Sequence, residues 1–224
     1  MKKWIWTSLA AMLVLCLSLP SLAVAGGNPE AVLALHIGTQ TAKNVCTSVS
    51  LPSDCGGYNT NTGSSGFYNL YLTIANYDTM GVAGIQFGVD YDENPGSGAD
   101  VDSWKSCADL EFPGTEWPKS ASGNLVTWEP SQSCQGDLVN FTPILAGVFE
   151  VLAYGADNFS IVPRPVDGKA KVADCFAAED DITGQNPSRL AVVSFGLDNG
   201  YNPCASLVPV QKTTWGAIKS LFEN

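Results

Sequence analysis

Five carboxylates lie close together around a glycine-rich turn, in the segment DYDENPGSGADVD at 90–102. Hard oxygen ligands on a flexible loop suit Ca²⁺. The candidate calcium ligands are Asp90, Asp92, Asp100 and Asp102. Their spacing does not match an EF-hand loop, because the required pattern of ligand positions is missing. The alternative interpretation is an ordinary acidic turn exposed to solvent.

Four glutamates on or near predicted strands could support a different chemistry. Glycoside hydrolysis needs two carboxyl groups at a suitable separation. Within WEP at 128–130, Glu129 stands beside Trp128, an aromatic residue that could stack on a sugar. The four glutamates are Glu111, Glu116, Glu129 and Glu150. Exposed strand residues are the alternative that we favour, so a carboxylate-dependent, glycoside-active enzyme is only the second function.

Other catalytic chemistries have little support in the sequence. The chain has a single histidine, His36, so a Ser–His–Asp triad would have to use it, and no GxSxG motif is present. No glycine-rich loop opens a helix in a βα unit, which argues against phosphate and dinucleotide sites. We expect His36 to be a partly exposed strand residue. We also expect a non-enzymatic protein with no cofactor other than the candidate calcium.

The N-terminus has the pattern of a secretory signal peptide. MKK is basic, WIWTSLAAMLVLCLSL is apolar, and AVA at 23–25 offers small residues for cleavage between Ala25 and Gly26. Cys16 raises a lipoprotein alternative, which the bulky Leu15 before it disfavours. Cleavage would remove two lysines and take the net charge from −11 to −13. We predict a secreted, extracellular or cell-envelope protein, and the short basic signal is typical of bacteria.

The acidic charge narrows the classes of partner. No basic stripe is present to neutralise phosphates, so we do not expect nucleic acid to bind. After the signal segment, no hydrophobic stretch approaches the length of a membrane span. The acidic charge fits a soluble secreted protein, or one that collects divalent cations.

Six cysteines remain once residues 1–25 are removed, and an even number in an exported chain predicts three disulfides. The six are Cys46, Cys55, Cys107, Cys134, Cys175 and Cys204. A zinc site is disfavoured, because the chain has no CxxC motif and one histidine. The connectivity is open, and we favour sequential pairing because neighbours on paired loops meet most easily. That pairing is Cys46–Cys55, Cys107–Cys134 and Cys175–Cys204.

Two segments, at 68–77 and 84–92, alternate apolar and polar residues and predict adjacent antiparallel strands. Each strand should have one buried and one wet face. The acidic segment 92–103 is predicted to be a loop. Further strands are predicted at 31–40, 107–112, 124–130, 144–155, 159–165, 170–175 and 189–196. These patterns predict one all-β domain at 26–208, an antiparallel two-sheet β-sandwich of jelly-roll or Ig-like type.

The segment YNLYLTIANYDTMGVAGIQFGVDYD at 68–92 resembles the early strands of cohesin-like domains. The pattern there is a glycine-containing turn followed by G-[apolar]-x-F-x-[apolar]-x-Y-D. The matching residues are Gly84, Ile85, Phe87, Val89, Tyr91 and Asp92. The resemblance implies a jelly-roll-like sandwich, similar also to carbohydrate-binding modules, that holds a protein or glycan through its sheet face. The chain departs from that pattern in its cysteine-rich loops, and it has no dockerin-type calcium repeat.

Four aromatic residues in or beside predicted loops are candidates for ligand contact. They are Trp104, Trp117, Trp128 and Tyr201. Such side chains can stack on glycans or anchor a protein partner. Core packing explains each of them equally well.

The C-terminal segment TTWGAIKSLFEN is predicted to be a short amphipathic helix. Its apolar residues fall on one helix face and are Trp215, Ile218, Leu221 and Phe222. The tail 209–224 resembles sorting or anchoring tails of exported bacterial proteins, which would dock on export or attachment machinery. The alternative is that it packs back on the sandwich.

Together these patterns predict a non-enzymatic, secreted or cell-surface binding or adhesion module for a protein or glycan. The alternatives are the glycoside-active enzyme and a purely structural component of the envelope.

Overall fold

The computed structural model describes residues 26–39, 45–136 and 139–205. The segment predicted as a signal peptide, 1–25, and the predicted helical tail, with Trp215, Ile218, Leu221 and Phe222, lie outside the described residues. The domain boundaries therefore stay predictions. No helix among the described residues is both long enough and apolar enough to cross a membrane.

Twelve strands and very little helix make up the described residues. The helical pieces are a four-residue helix, α1 (Val45–Ser48), and one 3-10 turn (Cys55–Gly57). The strands are β1 (Val32–Thr39), β2 (Asn61–Thr62), β3 (Gly66–Ala75), β4 (Gly84–Asp90), β5 (Ala99–Ser106), β6 (Leu110–Glu111), β7 (Ser122–Thr127), β8 (Ile144–Ala153), β9 (Asp157–Val162), β10 (Lys171–Ala173), β11 (Glu179–Asp181) and β12 (Val192–Phe195).

The strands form two sheets, which confirms the predicted two-sheet β-sandwich. The prediction that the strands at 68–77 and 84–92 are adjacent and antiparallel is wrong, because β3 and β4 lie in different sheets. One sheet has four strands in the order β1-β3-β8-β5, all antiparallel. The larger sheet has the order β11-β10-β4-β9-β12-β2, with β7 joined to β4 and β6 joined to β7. Only the short β12–β2 pair is parallel among the strand pairs of the described residues.

The inner faces of the two sheets bury a core rich in aromatic side chains. Phe87 of β4, Phe149 of β8 and Phe159 of β9 are fully buried, and the rings of Phe149 and Phe159 lie 4.8 Å apart. Burying a side chain of this size contributes about 1.5–3 kcal/mol. Each of these residues alternates with an outward-facing neighbour, so the core follows from the period of two.

The segment 92–103 is only partly a loop, so the prediction there is wrong. Strand β5 begins in the second half of this segment, at Ala99, and pairs with β8 at the edge of the four-stranded sheet. The register shifts between Val101 and Ser103, leaving Asp102 as an extra residue. A bulge of this kind interrupts the alternation of faces. Val101 and Trp104 both pack against the core although they are three positions apart.

The prediction of one wet face for each strand is also wrong for β3 and for β4, in which every residue from Gly84 to Val89 is buried. From Asn69 to Ala75 every residue of β3 is buried, including the outward-facing Tyr71. A segment that includes α1 covers this part of the sheet. Val45 of this segment packs with Tyr71 and Val148 in a second hydrophobic cluster, and Leu51 packs against it. We call the covering segment, residues 45–51, the cap.

The six cysteines form three disulfides, but the predicted sequential pairing is wrong. The pairs are Cys46–Cys107, Cys55–Cys204 and Cys134–Cys175, with Cα–Cα distances of 5.5, 5.7 and 5.8 Å. The strand order explains the difference. Strands distant in sequence become neighbours in the sheets, so the loops beside them meet. Cys46 of the cap thus reaches Cys107 at the end of β5.

Peptide mapping of the unreduced protein tests this connectivity. We expect three cross-linked fragments that join Cys46 to Cys107, Cys55 to Cys204 and Cys134 to Cys175. A fragment joining Cys46 to Cys55 would contradict the fold, because it would release the cap from β5.

Candidate binding surface

The outer face of the four-stranded sheet is covered at one end and open at the other. At the open end Phe67 of β3 lies opposite Leu152 of β8, and Leu152 lies opposite Asp100 of β5. Glu150 and Ser103 form the next row of the same face. Phe67 is 61% exposed and Leu152 is partly exposed. We call these five residues the open face.

Local hydrogen bonds hold the polar side chains of the open face in place. The Ser103 hydroxyl donates to Oε2 of Glu150 at 2.8 Å. One oxygen of Asp100 accepts a hydrogen bond of 2.9 Å from the backbone N–H of Gly96. A rigid strand pair with fixed carboxylates loses little conformational entropy when it binds, which favours recognition of a partner.

At the covered end, the single histidine lies beside two tyrosines. His36 of β1 is opposite Tyr71, and its ring is 5.0 Å from that of Tyr58. The backbone N–H of Asn59 donates to Nδ1 of His36 at 3.2 Å. Burial lowers the pKa of His36 and raises the pKa of Tyr58 to about 12. His36 therefore helps to anchor the chain that follows the cap, and it requires the neutral ring to do so.

The four aromatic candidates do not form one exposed face. Trp104 and Trp117 do come together, with ring centroids 5.6 Å apart, but they pack inside the sandwich against Phe149. Trp128 is 4% exposed and belongs to the core. The hydroxyl of Tyr201 donates to a backbone carbonyl oxygen, that of Ser188. Their positions correspond to core packing and loop anchoring.

The four candidate calcium ligands are not gathered into one group. Among the described residues, no set of three His, Cys, Asp or Glu side chains is placed to hold a metal ion. Asp90 accepts from the Ser120 hydroxyl at 2.9 Å. Asp92 accepts from the backbone N–H of Asn94 at 3.1 Å, and Asp102 is the exposed bulge residue. These contacts hold Asp90 and Asp92 to different parts of the chain.

The candidate catalytic glutamates are each held by donors close to them. These contacts are Glu111 with Trp104 and Asn124, Glu116 with Lys119, Glu129 with Ser131, and Glu150 with Ser103. Glu111 is fixed by two donors near the inner aromatic cluster, at 2.9 and 2.6 Å. Such contacts stabilise strands and loops, and they leave Glu150 as the only one of the four on the open face.

With this geometry described, the chain can be compared with known proteins. No family model and no curated protein matches the chain. Solved structures with a similar fold include cohesin modules. This agrees with the resemblance predicted from residues 68–92.

Three neighbours illustrate the similarity. The cohesin module of a family 33 glycoside hydrolase from Clostridium perfringens has a TM-score of 0.43 and 9% identity, covering 74% of this chain and 96% of that chain. A type II cohesin domain from Acetivibrio cellulolyticus gives 0.40 and 13%, covering 75% and 96%. The sixth cohesin of scaffoldin B from Acetivibrio cellulolyticus, solved with a Cel5 dockerin, gives 0.41 and 10%, covering 73% and 99%.

Sequence reasoning missed the residues at the centre of the open face. Phe67 directly precedes the segment that was predicted as a strand, and continuing the alternation by one residue would have placed it on the outer face. Leu152 lies in a segment whose apolar residues fall on both faces, so periodicity does not separate them. Asp100 was assigned to the predicted acidic loop.

Thermal unfolding tests whether the acidic turn at 90–102 binds Ca²⁺. If the acidic turn binds Ca²⁺, removing the ion with a chelator at low ionic strength should lower Tm, because binding to the folded state stabilises it. The contacts of Asp90 and Asp92 lead us to expect an unchanged Tm. A clear decrease that added Ca²⁺ reverses would contradict that expectation.

The stability of the protein should depend on pH through His36. Its pKa is lowered in the folded state, so the unfolded chain binds the proton more readily. The stabilisation is complete above the ordinary value of 6.5 and is lost as pH falls from 6.5 towards the folded value. Urea unfolding at about pH 7.5 and about pH 5.5 should show a lower free energy of unfolding at the lower pH.

The variant His36→Gln is the control, because the chain contains no other histidine. Asp181, whose pKa is lowered to about 2 by its hydrogen bond with Lys169, titrates far below this range. We expect the loss of stability between the two pH values to be smaller in the variant. An equal loss in both proteins would contradict the role of His36.

Proposed function

We propose that the protein is a non-catalytic, exported binding module and that the open face holds a protein partner. One observation supports this proposal most strongly. Phe67, a large aromatic side chain, is mostly exposed on a regular strand pair beside Leu152. Aromatic residues are enriched among those that dominate the energy of protein–protein interfaces. A folded chain that leaves such a pair uncovered offers an anchor point to another molecule.

The surroundings of this pair favour a particular chemistry in the partner. Asp100 and Glu150 flank Phe67 and Leu152 on the same face, and the whole chain is acidic, with a net charge of −11. A partner with an apolar side chain ringed by lysine or arginine would complement this surface. Such charges mainly accelerate association and favour the correct partner.

The arrangement of the aromatic residues favours a protein over a glycan. The three tryptophans suggested for sugar stacking are withdrawn from the surface, and Phe67, the aromatic ring of the open face, lies beside the aliphatic Leu152. Here Trp104 and Trp117 pack between the sheets and Trp128 is in the core. The cohesin of scaffoldin B was solved in complex with a dockerin, a protein partner, and two further neighbours from Clostridium thermocellum were solved as cohesin–dockerin complexes. For this chain we propose a protein partner without naming it.

Substituting Phe67 tests the proposal. Because Phe67 is 61% exposed, Phe67→Ser should leave the fold intact and remove the anchor. We expect the partner to bind about tenfold more weakly or worse, which is about 1.4 kcal/mol. The immobilised protein is used to capture a partner from the extracellular proteins of the producing cells. The Kd of that partner is then measured by surface plasmon resonance for the unchanged protein and for Phe67→Ser.

The matched control is Phe176→Ser, since Phe176 is 74% exposed and lies in the loop between β10 and β11. A partner of the open face should bind this variant as it binds the unchanged protein. A partner that is lost with Phe176→Ser and kept with Phe67→Ser would place the binding surface elsewhere.

A further inference from the structure

The first described residues, 26–28, are fixed in the domain by buried hydrogen bonds. Asn28 is fully buried, and its backbone N–H donates to Oδ2 of Asp180 at 2.6 Å. Its side chain donates to the carbonyl oxygen of Gly81 and accepts from the backbone N–H of Asp78, both at 2.8 Å. These three bonds hold the chain directly after the predicted cleavage point in one position.

The two positions before Asn28 leave little room for a side chain. A Cβ atom on Gly26 would clash with the Asp180 carboxylate and lie 3.1 Å from the carbonyl oxygen of Ala178. A Cβ atom on Gly27 would lie 2.5 Å from a side-chain carbon of Met80. Because the nitrogen and a Cβ share the same Cα, the Gly26 nitrogen lies no more than about 5 Å from the Asp180 carboxylate.

Two carboxylates that contact the backbone of residues 27 and 28 are buried, and Asp180 is also close to the Gly26 nitrogen. Asp174 is 2% exposed and Asp180 is 8% exposed. Among the described residues, neither forms an ion pair with lysine or arginine. Asp174 accepts hydrogen bonds from the backbone N–H groups of Gly27, Phe176 and Ala178 at 3.2, 2.8 and 3.0 Å. Buried carboxylates are normally paired with a positive charge, because desolvation of a lone charge is costly.

We propose that hydrolysis of the Ala25–Gly26 bond completes this site by creating an α-ammonium on Gly26 that pairs with Asp180 and Asp174. One water molecule is consumed as the peptide C–N bond breaks. Ala25 keeps the new carboxylate, and the Gly26 nitrogen gains protons to become the ammonium. Before cleavage the same nitrogen is an uncharged amide, so the pair exists only in the processed chain.

The stability that this ion pair adds should decrease as the pH rises. Residues 26–28 form hydrogen bonds with Asp78, Asp174 and Asp180. The same β10–β11 hairpin carries Glu179 and Asp181, whose carboxylates pair with Lys171 and Lys169. The carboxylates of Asp174 and Asp180 accept hydrogen bonds from this segment directly. They should raise the pKa of the α-amino group above its ordinary range of about 7.7–8.0. The added stability is therefore present below that range and is lost as pH rises through the folded value.

The first measurement is the mass of the intact, exported protein together with its N-terminal sequence. The proposal requires a chain that begins at Gly26. A mature chain that begins at any other residue would overturn it.

The second measurement compares the unfolding equilibrium constant of five exported forms in urea at about pH 7. They are the native chain, a chain with one extra glycine before Gly26, Asp180→Asn, the extended chain that also carries Asp180→Asn, and Glu179→Gln. We expect the extension and Asp180→Asn each to raise the unfolding constant about tenfold, and the two together to raise it little further. Glu179 is an exposed neighbour of Asp180 in β11, so Glu179→Gln should change the constant much less.

A nuclear magnetic resonance titration of the Gly26 α-amino group gives a result that does not depend on the variants folding. We expect a pKa above about 8 in the folded protein and the ordinary value in urea. An unshifted pKa in the folded protein, or an extended chain as stable as the native one, would overturn the proposal. Both results would leave the proposed binding of a partner to the open face unaffected.

Discussion

The disulfide between Cys46 and Cys107 fixes the cap against the end of β5, and the outer face of the four-stranded sheet depends on it. The cap covers Tyr71 and Val148, which would otherwise face solvent from the middle of two long strands. A four-residue helix is too short to be stable by itself, so its position must come from this cross-link and from the packing beneath it. The cap therefore determines which part of the sheet is open to a partner.

The other two disulfides also hold loops against the sheets. Cys55–Cys204 ties the chain after the cap to the segment after β12, with 149 residues between the two cysteines. Cys134–Cys175 lies beside Gly81, whose positive φ of 67° and close approach to Cys175 exclude a side chain. Gly81 also accepts the hydrogen bond from Asn28. The Cys134–Cys175 disulfide and the proposed processed N-terminus thus meet at the β10–β11 edge of the larger sheet.

The sequence was most informative where each strand keeps a strict period of two. β4 shows this, since Ile85, Phe87 and Val89 all reach the core as expected. The sequence was misleading at β5 for two reasons. The bulge at Asp102 breaks the alternation and moves Trp104 to the inner face. The acidic residues of the first half of the strand are also typical of a loop. The disulfide pairing could not be predicted, because it depends on which strands become neighbours in the sheets. For the same reason the open face was expected only as an unspecified sheet face.

The central claim is that the open end of the four-stranded sheet contacts a protein partner in the producing organism. Site-specific photo-cross-linking in intact cells tests it most directly, with a photoreactive phenylalanine at position 67, at 152 or, as a control, at 176. The account predicts one and the same protein adduct from positions 67 and 152, and none of it from 176. An adduct from 176 alone, or no adduct from 67 and 152, would contradict it.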